Sequence, residues 1–174
     1  CIMKKKNIIK TRRYESPCGT LLLGSFGDKL CLCDWQIEKH RGHVDRRLKR
    51  ILNAEFEEGT SEVIEQAVRQ LDEYFAGKRK VFNVPLLFVG TDFQKKVWSE
   101  LLNIPFGETI SYKEMARRIG LPTAVRAVAN ANGANSVSIF APCHRVIGSD
   151  NSLTGYGGGL AAKEKLLKLE GFLY

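Results

Sequence analysis

The stretch SYKEMARRIGLPTAVRAVANANGA, residues 111–134, decides how the second half of the chain folds. Ser111 is a capping-type residue ahead of an amphipathic run, and Gly120 stops that run. Leu121 and Pro122 form the turn. TAVRAVANANGA, opened by Thr123 as its cap, reads as a second helix. Helix, short turn, helix is the helix-turn-helix pattern, whose second helix meets DNA. Between Arg126 and Asn135 that helix carries only Ala127, Val128, Ala129, Asn130, Ala131, Asn132, Gly133 and Ala134. Such side chains bury little apolar area but let another backbone approach closely. The helix either meets a nucleic-acid backbone or packs as an Ala-rich core helix, where its asparagines would need partners.

Working outward, TDFQKKVWSELLNI (91–104) carries Phe93, Val97, Trp98, Leu101 and Leu102 on one helical face, and PFGE ends it. LAAKEKLLKLEGF (160–172) is an amphipathic helix. Toward the N-terminus, residues 8–37 alternate. SPCGTLLLGSFGDKLCLCDW reads as a strand, a Gly-Asp turn and a second strand, with Cys31 and Cys33 on one face. In QIEKHRGHVDRRLKRILNAEFEEG the basic half reads as a solvated helix or loop. SEVIEQAVRQLDEYFAG has a Ser N-cap, apolar residues at 63, 64, 67, 68, 71 and 75, and a stop at Gly77. KRKVFNVPLLFVG is extended, with Pro85 disrupting regular pairing. The expectation is an α+β protein. A small N-terminal α/β domain (1–85) precedes a C-terminal helix-turn-helix, winged-helix-like domain (86–174).

The chain has 174 residues, 44% of them hydrophobic, so it can bury a real core. No apolar run approaches the roughly 20 residues that span a bilayer, and CIMKKKNIIKTRRYES lacks a signal core. Met3 is read as the natural start and Cys1 as no lipid anchor. The expected location is the cytoplasm, or the nucleus in a eukaryote. The 27 Lys and Arg against 19 Asp and Glu give a charge of +8, which favours nucleic acid as partner or serves solubility alone. Five cysteines without a secretion signal argue against a disulfide framework. Cys31, Cys33, His40 and His43 are of zinc-ligand type, but Cys-x-Cys is unusual spacing for zinc. Two buried strand cysteines and no metal are expected.

IFAPCHRVIGSD (139–150) sets Cys143 beside His144. An imidazole can take a thiol's proton and so activate it. Strand neighbours point to opposite faces, however, so adjacency makes a working pair only through a turn or a bridging water. From the dipeptide alone, a buried structural thiol is the stronger reading. Asn135 and Tyr112 are polar groups near apolar runs. SLTGYGGGL (152–160) places glycines around Tyr156, for a tight turn or close approach to a ligand. It lacks the lysine of a phosphate-binding loop, which excludes nucleotide hydrolysis. Glu170 in the last helix could orient His144 or simply be an exposed carboxylate.

GTDFQKKVWSELLNIPFGETISYKEMA, AVRAVANANGAN, APCHRVIGSD and LTGYGGGLAAKEKLLKLEG together resemble the O6-alkylguanine-DNA alkyltransferase family over residues 86–172. SPCGTLLLGS extends the likeness more weakly to the first half. The resemblance implies a ribonuclease H-like N-terminal domain and a protein that moves an alkyl group from O6-alkylguanine in duplex DNA to its own cysteine. O4-alkylthymine is a second candidate substrate. Cys143 would be the acceptor, deprotonated by His144 through a water, with Glu170 completing the relay. Asn135 would hold the turn and hydrogen-bond near the thiolate. Tyr112 would assist the leaving guanine. Arg126 would fill the space of the flipped nucleotide, beside Ala127 on the DNA-facing helix. Tyr156 and the Gly157 backbone would line the base pocket. No cofactor, no membrane and a monomer are implied. Two positions depart from the pattern: Ser136 stands where proline is usual, and Gly157 where Ser or Ala is common. Both bear on alkyl-size preference. The competing readings are an alkyltransferase-like protein that binds damage without repair, and a thiol hydrolase. The first lacks the cysteine present here. The second needs an oxyanion hole and repeated turnover.

Overall fold

The computed structural model describes residues 6–149 and 159–171, with residues 38–40 described by their backbone alone. The protein is α+β, with a sheet in its first half and a helical second half. Strands β1 (Asn7–Ser16), β2 (Gly19–Phe26) and β3 (Lys29–Trp35) form an antiparallel meander. Gly27, at φ +62°, makes the turn between β2 and β3, a conformation that favours glycine.

Helix α1 (Glu38–Leu52) then crosses over to β4 (Ala54–Glu58), which lies parallel to β1. The sheet order is β3-β2-β1-β4. The sequence reading missed β4, which is short and largely exposed. It also treated the basic stretch as solvated. α1 in fact turns Val44 and Leu48 into a core with Ile9, and its Arg41 pairs with fully buried Asp34 at 3.0 Å.

Cys31 and Cys33 do not share a face. The β2–β3 register slips between Gly24 and Ser25, leaving Cys31 unmatched between Leu30 and Leu32. A bulge of this kind breaks the alternation of side chains. Cys31 packs beside Val44 and Leu48, whereas Cys33 packs in the larger core with Trp98 and Cys143. Both are buried. Among the described residues no three His, Cys, Asp or Glu side chains cluster as metal ligands.

Helix α2 (Glu62–Phe75) starts where the Ser61 hydroxyl accepts the Ile64 N–H, and its apolar face covers the sheet. The chain then runs extended past Pro85 to the free edge of β3. Leu30 N–H donates to Pro85 O at 2.8 Å, and Leu87 N–H donates to Leu30 O at 2.9 Å. Proline supplies an acceptor here and is asked for no donor. Further along the same edge, Cys33 N–H donates to Ser136 O and Ser138 N–H to Cys33 O, both at 2.8 Å. The edge of β3 thus carries both the connection between the halves and the loop that leads to Cys143.

In the second half, α3 (Asp92–Leu101) opens with a capping box between Thr91 and Gln94. Val97, Trp98 and Leu101 are buried, but Leu102 is 50% exposed at the helix end, where the helical face no longer continues. Two-residue strands β5 (Ile110–Ser111) and β6 (Val146–Ile147) pair in parallel. Helix α4 (Tyr112–Arg118) is capped by Ser111 and followed by Gly120 at φ +78°. Helix α5 (Val125–Gly133) starts after Ala124, so Thr123 is not its cap. The Ala124 N–H bonds to Leu121 O, which keeps Thr123 inside the interhelical turn. One face of α5 packs Val128, Ala131 and Asn132 into the core, while Arg126, Ala127 and Asn130 remain exposed. The core-helix reading therefore holds for one face of α5, and the opposite face is left exposed. Helix α6 (Leu160–Leu169) closes the fold. Among the described residues no helix is long and apolar enough to cross a membrane.

Candidate active site and nucleic-acid interface

Cys143 begins a single 3-10 turn, Cys143–Arg145, closed by Arg145 N–H to Pro142 O at 3.0 Å. A turn here frees the two neighbours from the strict alternation of a strand. Asn135 builds the approach to it. Its amide donates to Ala141 O at 2.9 Å and its oxygen accepts Val137 N–H at 3.0 Å. Ile139 is held at φ +74°, a strained conformation for a β-branched residue. From α5, Asn132 donates to Cys143 O at 3.1 Å, so the helix-turn-helix anchors the turn directly.

The Cys143 thiol is 3% exposed, with the Ser138 hydroxyl 4.0 Å from its sulfur. Burial pushes the thiol above its ordinary value. Hydrogen bonding by Asn135, the charge of Lys163 and the Ser138 hydroxyl act in the other direction.

His144 is fully buried, and its Nε2 lies 2.7 Å from Glu170 Oε2. An ionised carboxylate only accepts, so Nε2 carries the proton and Nδ1 of the neutral ring is the basic nitrogen. Nδ1 is buried without a protein partner. Burial lowers the proton affinity of His144 below the usual value, against the opposing pull of Glu170.

Glu170 sits at the C-cap of α6 and gathers donors from several elements. Arg145 Nε donates to Oε1 at 2.8 Å and Arg145 Nη2 to Oε2 at 3.0 Å. The Tyr74 hydroxyl of α2 donates to Oε2 at 2.6 Å. Burial pushes this carboxyl upward, but the His144 and Arg145 bonds and charges outweigh it and hold Glu170 below the usual carboxylate range. The exposed-carboxylate reading of Glu170 does not apply.

Tyr112, the first residue of α4, is buried with its ring 5.7 Å from Lys163 Nζ. Lys163 is fully buried and donates to Val146 O at 2.6 Å. Burial pulls its ammonium down to about 8, against the opposite influence of Cys143.

Lys163, Arg145 and Tyr74 escaped the sequence reading. Their signals were present in helical spacing: Lys163, Leu166, Leu167 and Glu170 fall on one face of α6, and Tyr74 follows Ala67 and Leu71 on the buried face of α2.

Arg126 and Ala127 lie in the exposed first turn of α5. At its other end, Arg47 of α1 donates to Ala134 O at 2.7 Å and stacks 5.3 Å from the Trp98 ring centre. A cation there complements the helix C-terminus. Tyr156 and Gly157 lie outside the described residues. A cleft of about 410 Å³ follows the seam between the halves past Phe82, Phe106, Phe140 and Arg145, and Cys143 does not line it.

Fold and site define an α+β protein with a helix-turn-helix and a buried thiol followed in sequence by a buried histidine paired to a carboxylate. Residues 92–172 match the 6-O-methylguanine DNA methyltransferase, DNA binding domain, and residues 9–88 match the ribonuclease-like domain of the same family. The methylated-DNA–protein-cysteine methyltransferase of Methanosarcina acetivorans is 46% identical over 91% of this chain and 96% of its own length. The crystal structure of Mycobacterium tuberculosis OGT in complex with DNA aligns with a TM-score of 0.77 at 44% identity, covering 94% of this chain and 92% of that one. The O6-methylguanine-DNA methyltransferase structure from Pyrococcus kodakaraensis aligns at 0.72 with 25% identity, covering 94% of this chain and 99% of that one. The chain belongs to the 6-O-methylguanine DNA methyltransferase family.

Proposed function

We propose that this protein repairs O6-alkylguanine in duplex DNA by moving the alkyl group to Cys143, once and irreversibly. The observation that carries the reading is the His144 ring, which is bonded to Glu170 through Nε2 and keeps a basic Nδ1 in the turn that begins with Cys143. Family membership supplies the substrate class.

In this reading the Cys143 proton passes through a water to His144 Nδ1, and Glu170 stabilises the imidazolium. The thiolate attacks the alkyl carbon. A carbon–sulfur bond forms as the carbon–oxygen bond to guanine breaks, and the electron pair leaves with the base. Tyr112 donates to the departing guanine. Asn135, Ser138 and Lys163 favour the thiolate against its burial. The product is a thioether, which thiol exchange cannot reopen because that reaction needs a disulfide.

An alkylated base can be reached only outside the stack. In this reading Arg126, exposed at the start of α5, fills the gap, and Ala127 lets the helix approach the duplex. Tyr156 and Gly157 remain proposed pocket residues. A division near residue 85, a monomeric state and a location with the cell's DNA complete the proposal. The test is single-turnover transfer from an O6-methylguanine duplex, with O4-methylthymine as the second substrate and sedimentation for the monomer. Transfer from neither duplex would overturn the reading.

A further inference from the structure

We infer that Tyr74, in the sheet-bearing first half of the chain, is a positioning residue that sets the basicity of His144 through a hydrogen bond to Glu170. The inference rests on the proposed relay and assigns the first half of the chain a part in it.

The Tyr74 hydroxyl donates at 2.6 Å to Glu170 Oε2, the same oxygen that faces His144 Nε2 at 2.7 Å. Tyr74 is 1% exposed, and the two partners are 96 residues apart in sequence. Its ring is fixed by Phe75, Phe82 and Phe106, with centres 5.1, 5.4 and 6.2 Å away. Burial and the adjacent carboxylate hold the phenol well above its usual range, so it stays protonated and donates. Glu170 Oε2 is shared by three donors, Tyr74, His144 and Arg145 Nη2, and each donor leaves less of the oxygen's charge to the others. The tyrosine therefore restrains how strongly Glu170 holds the proton of His144, and it fixes the carboxylate plane against rotation.

Other charged or titratable groups face this centre. Arg145 binds both carboxylate oxygens. Lys163 acts on His144 from α6, and Cys18 acts on Tyr74 from the β1–β2 turn. Lys80 lies 5.5 Å from the Phe106 ring centre. Among the described residues, Tyr74 is the neutral donor whose hydroxyl can be removed while its ring remains.

The experiment compares wild type, Tyr74→Phe and Phe75→Leu. Each is followed by the pH dependence of single-turnover reaction with O6-benzylguanine as free base and by NMR titration of the His144 ring. Without the hydroxyl, Glu170 Oε2 becomes the stronger acceptor and His144 the stronger base. Tyr74→Phe should raise the His144 midpoint and the acid limb of the rate profile together, by about half a pH unit or more. Phe75→Leu, which loosens the same aromatic cluster but keeps the hydroxyl, should lower the melting temperature and leave the midpoint in place. An unmoved midpoint in Tyr74→Phe, or an equal shift in Phe75→Leu, overturns the inference. If wild type accepts no alkyl group, the repair reading fails, while the NMR titration still decides the Tyr74 effect.

Discussion

Asn132 of α5 donates its amide to the backbone oxygen of Cys143 at 3.1 Å, tying the second helix of the helix-turn-helix to the turn that begins with Cys143. The same helix exposes Arg126 in its first turn. One hydrogen bond thus joins the helix that exposes Arg126 to the turn that carries Cys143.

Arg126→Ala should slow transfer from duplex DNA strongly, because in the proposed reading the arginine offsets the few kcal/mol needed to flip a base. Reaction with free O6-benzylguanine needs no flipping and should change little. The two rate constants, measured on the same preparation, check this. Equal losses would place Arg126 in the fold or the pocket instead.

Glu170→Gln should cut the transfer rate by about 10²-fold or more, the range expected for a general-base contribution. It also leaves buried Arg145 without its carboxylate, a loss of roughly 3–5 kcal/mol. The sign of the pH dependence follows from the directions. His144 and Glu170 are both held below their unfolded values, so each contributes stability that is complete above the unfolded value and lost as pH falls through the folded one. Acid unfolding of wild type should therefore deepen below about pH 4, the unfolded glutamate range. Glu170→Gln should flatten that limb in chemical denaturation across pH.

Lys163→Met removes a charge on α6 that favours the Cys143 thiolate, while keeping most of the side-chain volume. A rise of one unit in the thiol corresponds to a tenfold loss of thiolate at neutral pH. Single-turnover rates should fall by about tenfold and recover as pH is raised. A rate unchanged at pH 7 would remove Lys163 from the account.

At Ser136, the position where the family pattern has proline, restricting the unfolded chain with Ser136→Pro would stabilise by roughly 0.4–1 kcal/mol. The structure sets a bond against that gain: the Ser136 hydroxyl donates to Cys31 O at 3.1 Å, at the β3 bulge. Losing it costs about 0.5–1.5 kcal/mol. The expected net change is a loss of less than about 1 kcal/mol, with Cys143 still reactive. Thermal unfolding beside a transfer assay checks both parts. A clear gain in melting temperature would show that the Cys31 carbonyl finds another donor.

Much of the second half was legible because short-range chemistry writes itself into sequence. Ser111 and Gly120 bound α4 as capping rules require, and PCHRV places the thiol and imidazole in one turn. What escaped depends on partners distant in the chain. Cys31 changes sides because of a bulge opposite Gly24, which strand alternation cannot reveal. Arg41 looked solvated because its partner, Asp34, sits in the preceding strand. Tyr74 and Lys163 looked like ordinary helix positions until the fold brought them to Glu170 and Cys143.

The central claim is that Cys143 is an acceptor used once. Protein mixed with excess O6-methylguanine duplex, followed by intact and peptide mass spectrometry, tests it most directly. The account predicts about one methyl group per molecule, carried on Cys143, and then no further loss of substrate. Repeated turnover, or a methyl group found on Cys18 in place of Cys143, would contradict it.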